Sequence, residues 1–182
     1  SDNWFVLVSG DDILPDMYIG RLSSQSESQV ENIVDKIIYY EKNPPDKSWS
    51  KNVLLVADDD DAEFEDVSGQ LEDLLPESYK VNKVYISSYT SEGNPTKDII
   101  KYIDSGSLLV NYTGHGAVER WGLWGDSKSF FKLSDINSLN NTRKLPVVTV
   151  ANCLNGFFPG PNTQTSMAEG FQRLKNKGAI AV

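Results

Sequence analysis

The chain is poor in reactive side chains, with one histidine and one cysteine in 182 residues. A lone thiol excludes an intrachain disulfide framework, so the fold must rest on packing. No apolar run approaches the roughly 20 residues a bilayer-crossing helix needs. The opening SDNWFVLVSG has neither a basic n-region nor a long apolar h-region, so it does not read as a secretory signal. Basic residues are also scarce, 17 against 26 acidic, for a formal net charge of −9. That balance argues against nucleic acid or an anionic membrane as the main partner. Neither a GxGxxG nor a P-loop sequence is present, which counts against nucleotide binding.

What remains is an alternation of two hydrophobic periods. Val30, Ile33, Val34, Ile37 and Ile38 fall on one face of a helix, with Ser24 and Glu27 spaced as a capping box at its start. NVLLVA at 52–57 is continuously apolar, as expected for a strand buried on both faces. Phe64, Val67, Leu71, Leu74 and Leu75 mark a second helix, closed by Pro76. Residues 81–87 read as a strand. Asn94 and Pro95 open a third helix carrying Ile99, Ile100 and Ile103, and Gly106 ends it. Strands are predicted at 107–112, 146–151 and 178–182. Before the last of these, Ser166 and Glu169 form a second capping-box pair, with Met167, Phe171 and Leu174 on the buried face of the helix.

Apolar strands alternating with helices imply βαβ units and a mainly parallel sheet covered on both sides. Ligands then bind beyond the carboxyl ends of the strands. The residues at those ends are the chemically active ones: Asp58–Asp61, Ser87–Ser88, Thr113–Gly116 and Asn152–Cys153. In a parallel sheet His115 and Cys153 become neighbours. A thiol needs an adjacent base to act as a nucleophile. The flanking glycines would let a substrate carbonyl approach the backbone, where two N–H groups could meet a developing oxyanion.

NYTGHG with a tryptophan six residues after the histidine, then LPVVTVANCLNGFF, resembles the gingipain family of cysteine peptidases. The likeness runs back through LPDMYIGRLS and IIYYEKN…NVLLVADDD and forward through SMAEGF and KGAIAV. The resemblance implies a caspase-like three-layer αβα sandwich with a mainly parallel sheet. It implies that residues 1–182 are a single catalytic (sub)domain, incomplete and belonging to a larger protein. It implies Cys153 as nucleophile, His115 as general base and acid, and an oxyanion hole made by the N–H groups of Gly116 and Cys153. The expected partners are a peptide or protein substrate and the remaining part of the parent catalytic domain. The implied location is secreted or cell-surface. No cofactor is required for the chemistry.

The acidic run DDDDAEFED at 58–66 has three readings. Carboxylates at a helix start favour the macrodipole. A structural calcium site is a second reading, although the run does not fit an EF-hand loop. The third follows from the resemblance, which places Asp60, with Asp58 and Asp59 as rivals, as the carboxylate that orients the histidine. Asp66 and Glu65 fall near the pocket acid of arginine-selective members, which implies cleavage after basic residues. Trp121 and Trp124 read either as pocket walls or as packed aromatics. The alternative to an enzyme is a non-catalytic peptide-binding or structural relative from a secreted multidomain protein.

Overall fold

The computed structural model describes residues 2–46, 48–90, 92–124, 128–159 and 164–182. After a 3-10 turn at Asp2–Val6 the elements are α1 (Glu27–Lys42), β1 (Asn52–Ala57), α2 (Ala62–Asp73), β2 (Lys80–Tyr85), α3 (Pro95–Ser105) and β3 (Leu109–Thr113). There follow β4 (Leu123–Trp124), β5 (Lys128–Ser129), α4 (Leu133–Ser138), β6 (Val147–Ala151) and α5 (Met167–Arg173).

Four parallel strands form the sheet in the order β2-β1-β3-β6. The chain steps one way from β1 to β2 and the opposite way from β2 to β3. Right-handed crossovers therefore put α2 and α3 on opposite faces, which produces the three layers. The strands at the centre are the most apolar: every residue of β1 after Asn52 is buried. Leu54, Val56, Val110, Tyr112 and Val148 join Ile99 and Ile103 of α3 in one core. Trp121, Phe130, Phe131 and Phe171 complete it.

The predicted elements are present, with shifts that have local causes. The N-cap of α1 is Ser26, whose side chain accepts from Gln29 N–H, in place of the Ser24–Glu27 pair. Gln29 in turn accepts from Gln25 N–H, so the turn closes two residues later than the spacing implied. The expected apolar stripe of α1 is only partly used: Ile33 is buried, but Val30, Val34 and Ile38 are exposed. β2 stops at Tyr85 because the chain turns into a 3-10 helix over Ile86–Ser88. The 178–182 strand is reduced to one parallel bridge, Ala181 to Val147. The Ser166–Glu169 capping box and the Asn94 cap with Pro95 occur as read. The β4–β5 hairpin and α4 were not anticipated. They lie between predicted strands, where the short β-pairs carry no sustained period.

Lys36, outside the apolar stripe read from the sequence, is buried on α1. It is 3% exposed, and its Nζ donates to the carbonyls of Phe171 (3.2 Å), Lys177 (3.2 Å) and Ala179 (2.9 Å). The ammonium thus satisfies carbonyls at the end of α5 and in the turn after it, groups that no helix bond can reach. Burial pulls its pKa from 10.5 down to about 8. Below pH 8 both folded and unfolded chains hold the proton. Between 8 and 10.5 only the unfolded chain does, so stability rises with pH across that window. Unfolding free energies of the protein and of Lys36→Met, measured from pH 7 to 11, should show the native chain gaining on the variant above pH 8. A constant difference would contradict the buried-charge account.

Candidate active site

The site is built where β1, β3 and β6 end. Thr113 of β3 is in register with Ala151 of β6, and Gly114 N–H continues the ladder to the Ala151 carbonyl at 3.2 Å. His115 and Cys153 each lie two residues past that paired level, on adjacent strands. Both are exposed. Two parallel strands in register therefore leave the sole histidine and the sole cysteine the same number of residues past one sheet edge. The His115 ring meets Phe64 of α2 edge-to-face, with centroids 5.4 Å apart, which limits its swing.

Beneath the histidine is a buried polar knot. Asp58, the first residue past β1, is fully buried, and its Oδ2 accepts from His115 N–H at 3.0 Å. Its Oδ1 accepts from Asp59 N–H. The buried Tyr112 hydroxyl donates to the His115 carbonyl (2.5 Å), accepts from Gly122 N–H (2.9 Å) and lies 3.2 Å from Asp58 Oδ2. Burial raises the Asp58 pKa; the hydrogen bonds from His115, Asp59 and Tyr112 oppose that rise. Burial, then the neighbouring Asp58, push the Tyr112 phenol well above its ordinary value, so it stays a neutral donor. Two glycines make the knot possible. A Cβ on Gly114 would stand 2.4 Å from Asp58 Cβ, and one on Gly122 would stand 2.1 Å from Asp58 Oδ2.

Gly116 is equally constrained, since a Cβ there would meet Asn152 Nδ2 at 2.5 Å and the Cys153 carbonyl at 2.7 Å. The histidine and cysteine loops are thus in backbone contact. Among the described residues the N–H groups of Gly116 and Cys153 meet no acceptor. N–H groups without acceptors on two contacting loops are the kind of donor a developing oxyanion requires. A cleft of about 450 Å³ borders this point, lined in part by Ala117, Val118, Glu119, Lys132, Leu154 and Gln164.

The remaining candidates are dispersed. Asp59 and Asp60 are exposed, and Asp61 caps α2 by accepting from Glu63 N–H. Of the four aspartates it is Asp58 that grips His115, through the backbone. With Asp58 turned inward and Asp61 spent on a cap, the run does not gather into a calcium cage. Among the described residues no group of three or more histidine, cysteine or carboxylate side chains could hold a metal ion. Glu65 accepts from the Ser87 hydroxyl beyond β2, and Asp66 is exposed on α2. Trp121 is wholly buried, stacked on Tyr112 at 4.5 Å and tilted against Phe131. Of its two readings, packing is the one its contacts display. Tyr112, Phe64 and Asn155 were not singled out as site residues, and Asn152 was named only as a polar residue at a strand end. Tyr112 stands inside the NYTGHG motif, but a tyrosine in an apolar strand carries no sign that its hydroxyl will serve a loop.

The sheet, its flanking helices and the placement of polar residues at one edge define a caspase-like α/β sandwich. The crystal structure of the Arg specific cysteine proteinase gingipain R matches with a TM-score of 0.82 at 27% identity, over 99% of this chain and 42% of that one. The complex of Porphyromonas gingivalis RgpB pro- and mature domains matches with a TM-score of 0.78 at 26% identity, over 99% of this chain and 43% of that one. Gingipain R2 of Porphyromonas gingivalis is 30% identical over 165 residues, 87% of this chain and 22% of the relative. Lys-gingipain HG66 of the same organism is 28% identical over 183 residues, all of this chain and 10% of the relative. The sequence profile of peptidase family C25 matches residues 1–182, and the chain belongs to that family. It therefore spans under half of the solved gingipain R chain and about a fifth of Gingipain R2. No helix among the described residues is long and apolar enough to cross a membrane.

Replacing Tyr112 by Phe leaves the His115 carbonyl and Gly122 N–H without their buried partner. The expected loss is about 1–3 kcal/mol, since an orphaned buried group forfeits its solvation. At roughly 2–4 °C per kcal/mol for a chain of this size, calorimetry should register a clear fall in Tm. An unchanged Tm would mean that the knot is not a structural anchor.

Proposed function

We propose that the chain supplies the catalytic (sub)domain, residues 1–182, of a cysteine endopeptidase. The observation that supports this reading is that the only histidine and the only cysteine of the chain each follow, by two residues, the last paired level of adjacent parallel strands. His115 takes the proton of Cys153, and the thiolate attacks a peptide carbonyl. The oxygen, now negative, is received by the N–H groups of Gly116 and Cys153. The imidazolium gives its proton to the leaving amine. Water, deprotonated by His115, then hydrolyses the thioester and regenerates the thiol. No step calls for a cofactor. Asp60 remains the proposed orienting carboxylate; it acts from solvent, with Asp58 fixing the same loop from below.

The substrate is a peptide or protein, and the preferred residue before the scissile bond is arginine. Support for this comes from Asp66 and Glu65 on α2, and from a net charge that attracts basic peptides in a salt-dependent way. A carboxylate pairs bidentately with guanidinium and less well with ammonium. The rest of the parent catalytic domain is proposed to close this pocket, with Trp121 supporting its wall from within the core. A secreted or cell-surface location follows from the family resemblance.

Cys153→Ala in the whole protein should abolish peptide hydrolysis with Tm unchanged, and a peptide library should show enrichment of arginine before the cleaved bond. Asp66→Asn combined with Glu65→Gln should reduce that enrichment. Hydrolysis surviving in Cys153→Ala would remove the thiol mechanism. Cleavage without arginine enrichment would remove the two acids from the specificity pocket.

A further inference from the structure

Four side-chain and backbone features around the nucleophile form one assembly. Asn155 is buried, and its Nδ2 donates to the carbonyls of Ala117 (2.6 Å) and Arg120 (3.0 Å). Those residues belong to the loop that follows His115, and they are bridged to one another, Ala117 N–H to the Arg120 carbonyl at 3.0 Å. Carbonyls can only accept, so the Asn155 amide can face them in one orientation alone. Its Oδ1 must then accept, and it does so from Asn152 Nδ2 at 2.6 Å. That fixes Asn152 in turn and leaves its buried Oδ1 with no partner among the described residues. Asn152 Nδ2 also fills the space over Gly116. The chain between the two asparagines turns through Leu154 at φ +62°, a left-handed conformation uncommon for a leucine.

An orphaned acceptor and a strained leucine both oppose folding. Neither is needed to pack the core: an alanine at 152 would remove this orphan, though it would leave Asn155 Oδ1 without its donor. Both lie in the segment that carries Cys153, whose carbonyl comes against Gly116. We infer that Asn152 and Asn155 are positioning residues, a paired-amide clamp that sets the spacing of the Gly116 and Cys153 N–H groups for the tetrahedral oxyanion. This rests on the peptidase reading above. The clamp does not touch the substrate. It acts by preventing the two loops from sliding apart as charge develops between them.

The test uses the whole protein, a neutral-flanked peptide substrate and a peptide aldehyde, whose thiol adduct carries an oxyanion-like oxygen. Asn155→Ala removes a donor from each of two carbonyls and can fail to fold, so Asn152→Ala, which keeps both of those bonds, is the deciding variant. The expectation for Asn152→Ala is a kcat about 10- to 100-fold lower, because sub-ångström errors in donor placement are felt in the transition state. KM should stay within about twofold, the aldehyde inhibition constant should rise in step with the kcat loss, and Tm should change little, since the orphan at Asn152 Oδ1 is exchanged for one at Asn155 Oδ1. Asn152→Asp, which sets an acceptor against Asn155 Oδ1, should lower kcat at least as far as Ala. A lowered Tm with kcat and aldehyde affinity unchanged would make the pair merely structural and overturn the inference. Full hydrolysis by Cys153→Ala, or none by the native protein, would instead overturn the peptidase reading and the clamp with it.

Discussion

Parallel pairing of β3 with β6 is the constraint on which the site depends. Parallel strands cannot be joined by a tight turn, so residues far apart in sequence are brought to one edge only if the register is held. Here Thr113 opposes Ala151, and one further bond carries the ladder to Gly114. A slip of one residue would move His115 or Cys153 off the shared level and turn every side chain of that strand to the other face. The register is secured by burial: Val110, Tyr112 and Val148 all point into one core. The apolar face therefore aligns the strand ends from which the two polar residues follow.

Above the sheet, alignment passes from hydrophobic burial to hydrogen bonds. Asp58 and Tyr112 hold the two ends of the His115 peptide, its N–H and its carbonyl. Asn155 holds the loop just beyond. Each of these groups is buried, where a hydrogen bond is strong and an unpaired partner is expensive. Glycine at 114, 116 and 122 is the matching requirement, because the polar groups occupy the volume a side chain would need. Flexible residues here serve a rigid arrangement: their lack of a Cβ admits the carboxylate, the phenol and the amide that immobilise the backbone.

The architecture was legible in the sequence because continuous apolar runs and helical periods alternate, and the caps at Asn94 and Ser166 have short-range signatures. Strand ends then pointed to His115 and Cys153 through the general rule for parallel sheets. What escaped was whatever depends on partners distant in sequence. Lys36 looks like a surface residue of α1, and its three carbonyl partners lie beyond residue 170. In the acidic run, no local pattern separates Asp58 from its neighbours; its burial is decided by Tyr112, Gly114 and Gly122, on other segments. The exposed valines of α1 mark the same limit, since periodicity tells which residues share a face but not whether that face is covered.

The central claim is that the imidazole of His115 activates the thiol of Cys153. Because the chain has one cysteine, the rate of alkylation by iodoacetamide at pH 6 reports that thiol alone. An ordinary thiol, ionising near pH 8.5, is only about 0.3% thiolate there and reacts slowly. The account predicts rapid alkylation of the native protein and a rate at least about tenfold lower in His115→Ala. Equal, slow rates in both proteins would contradict it.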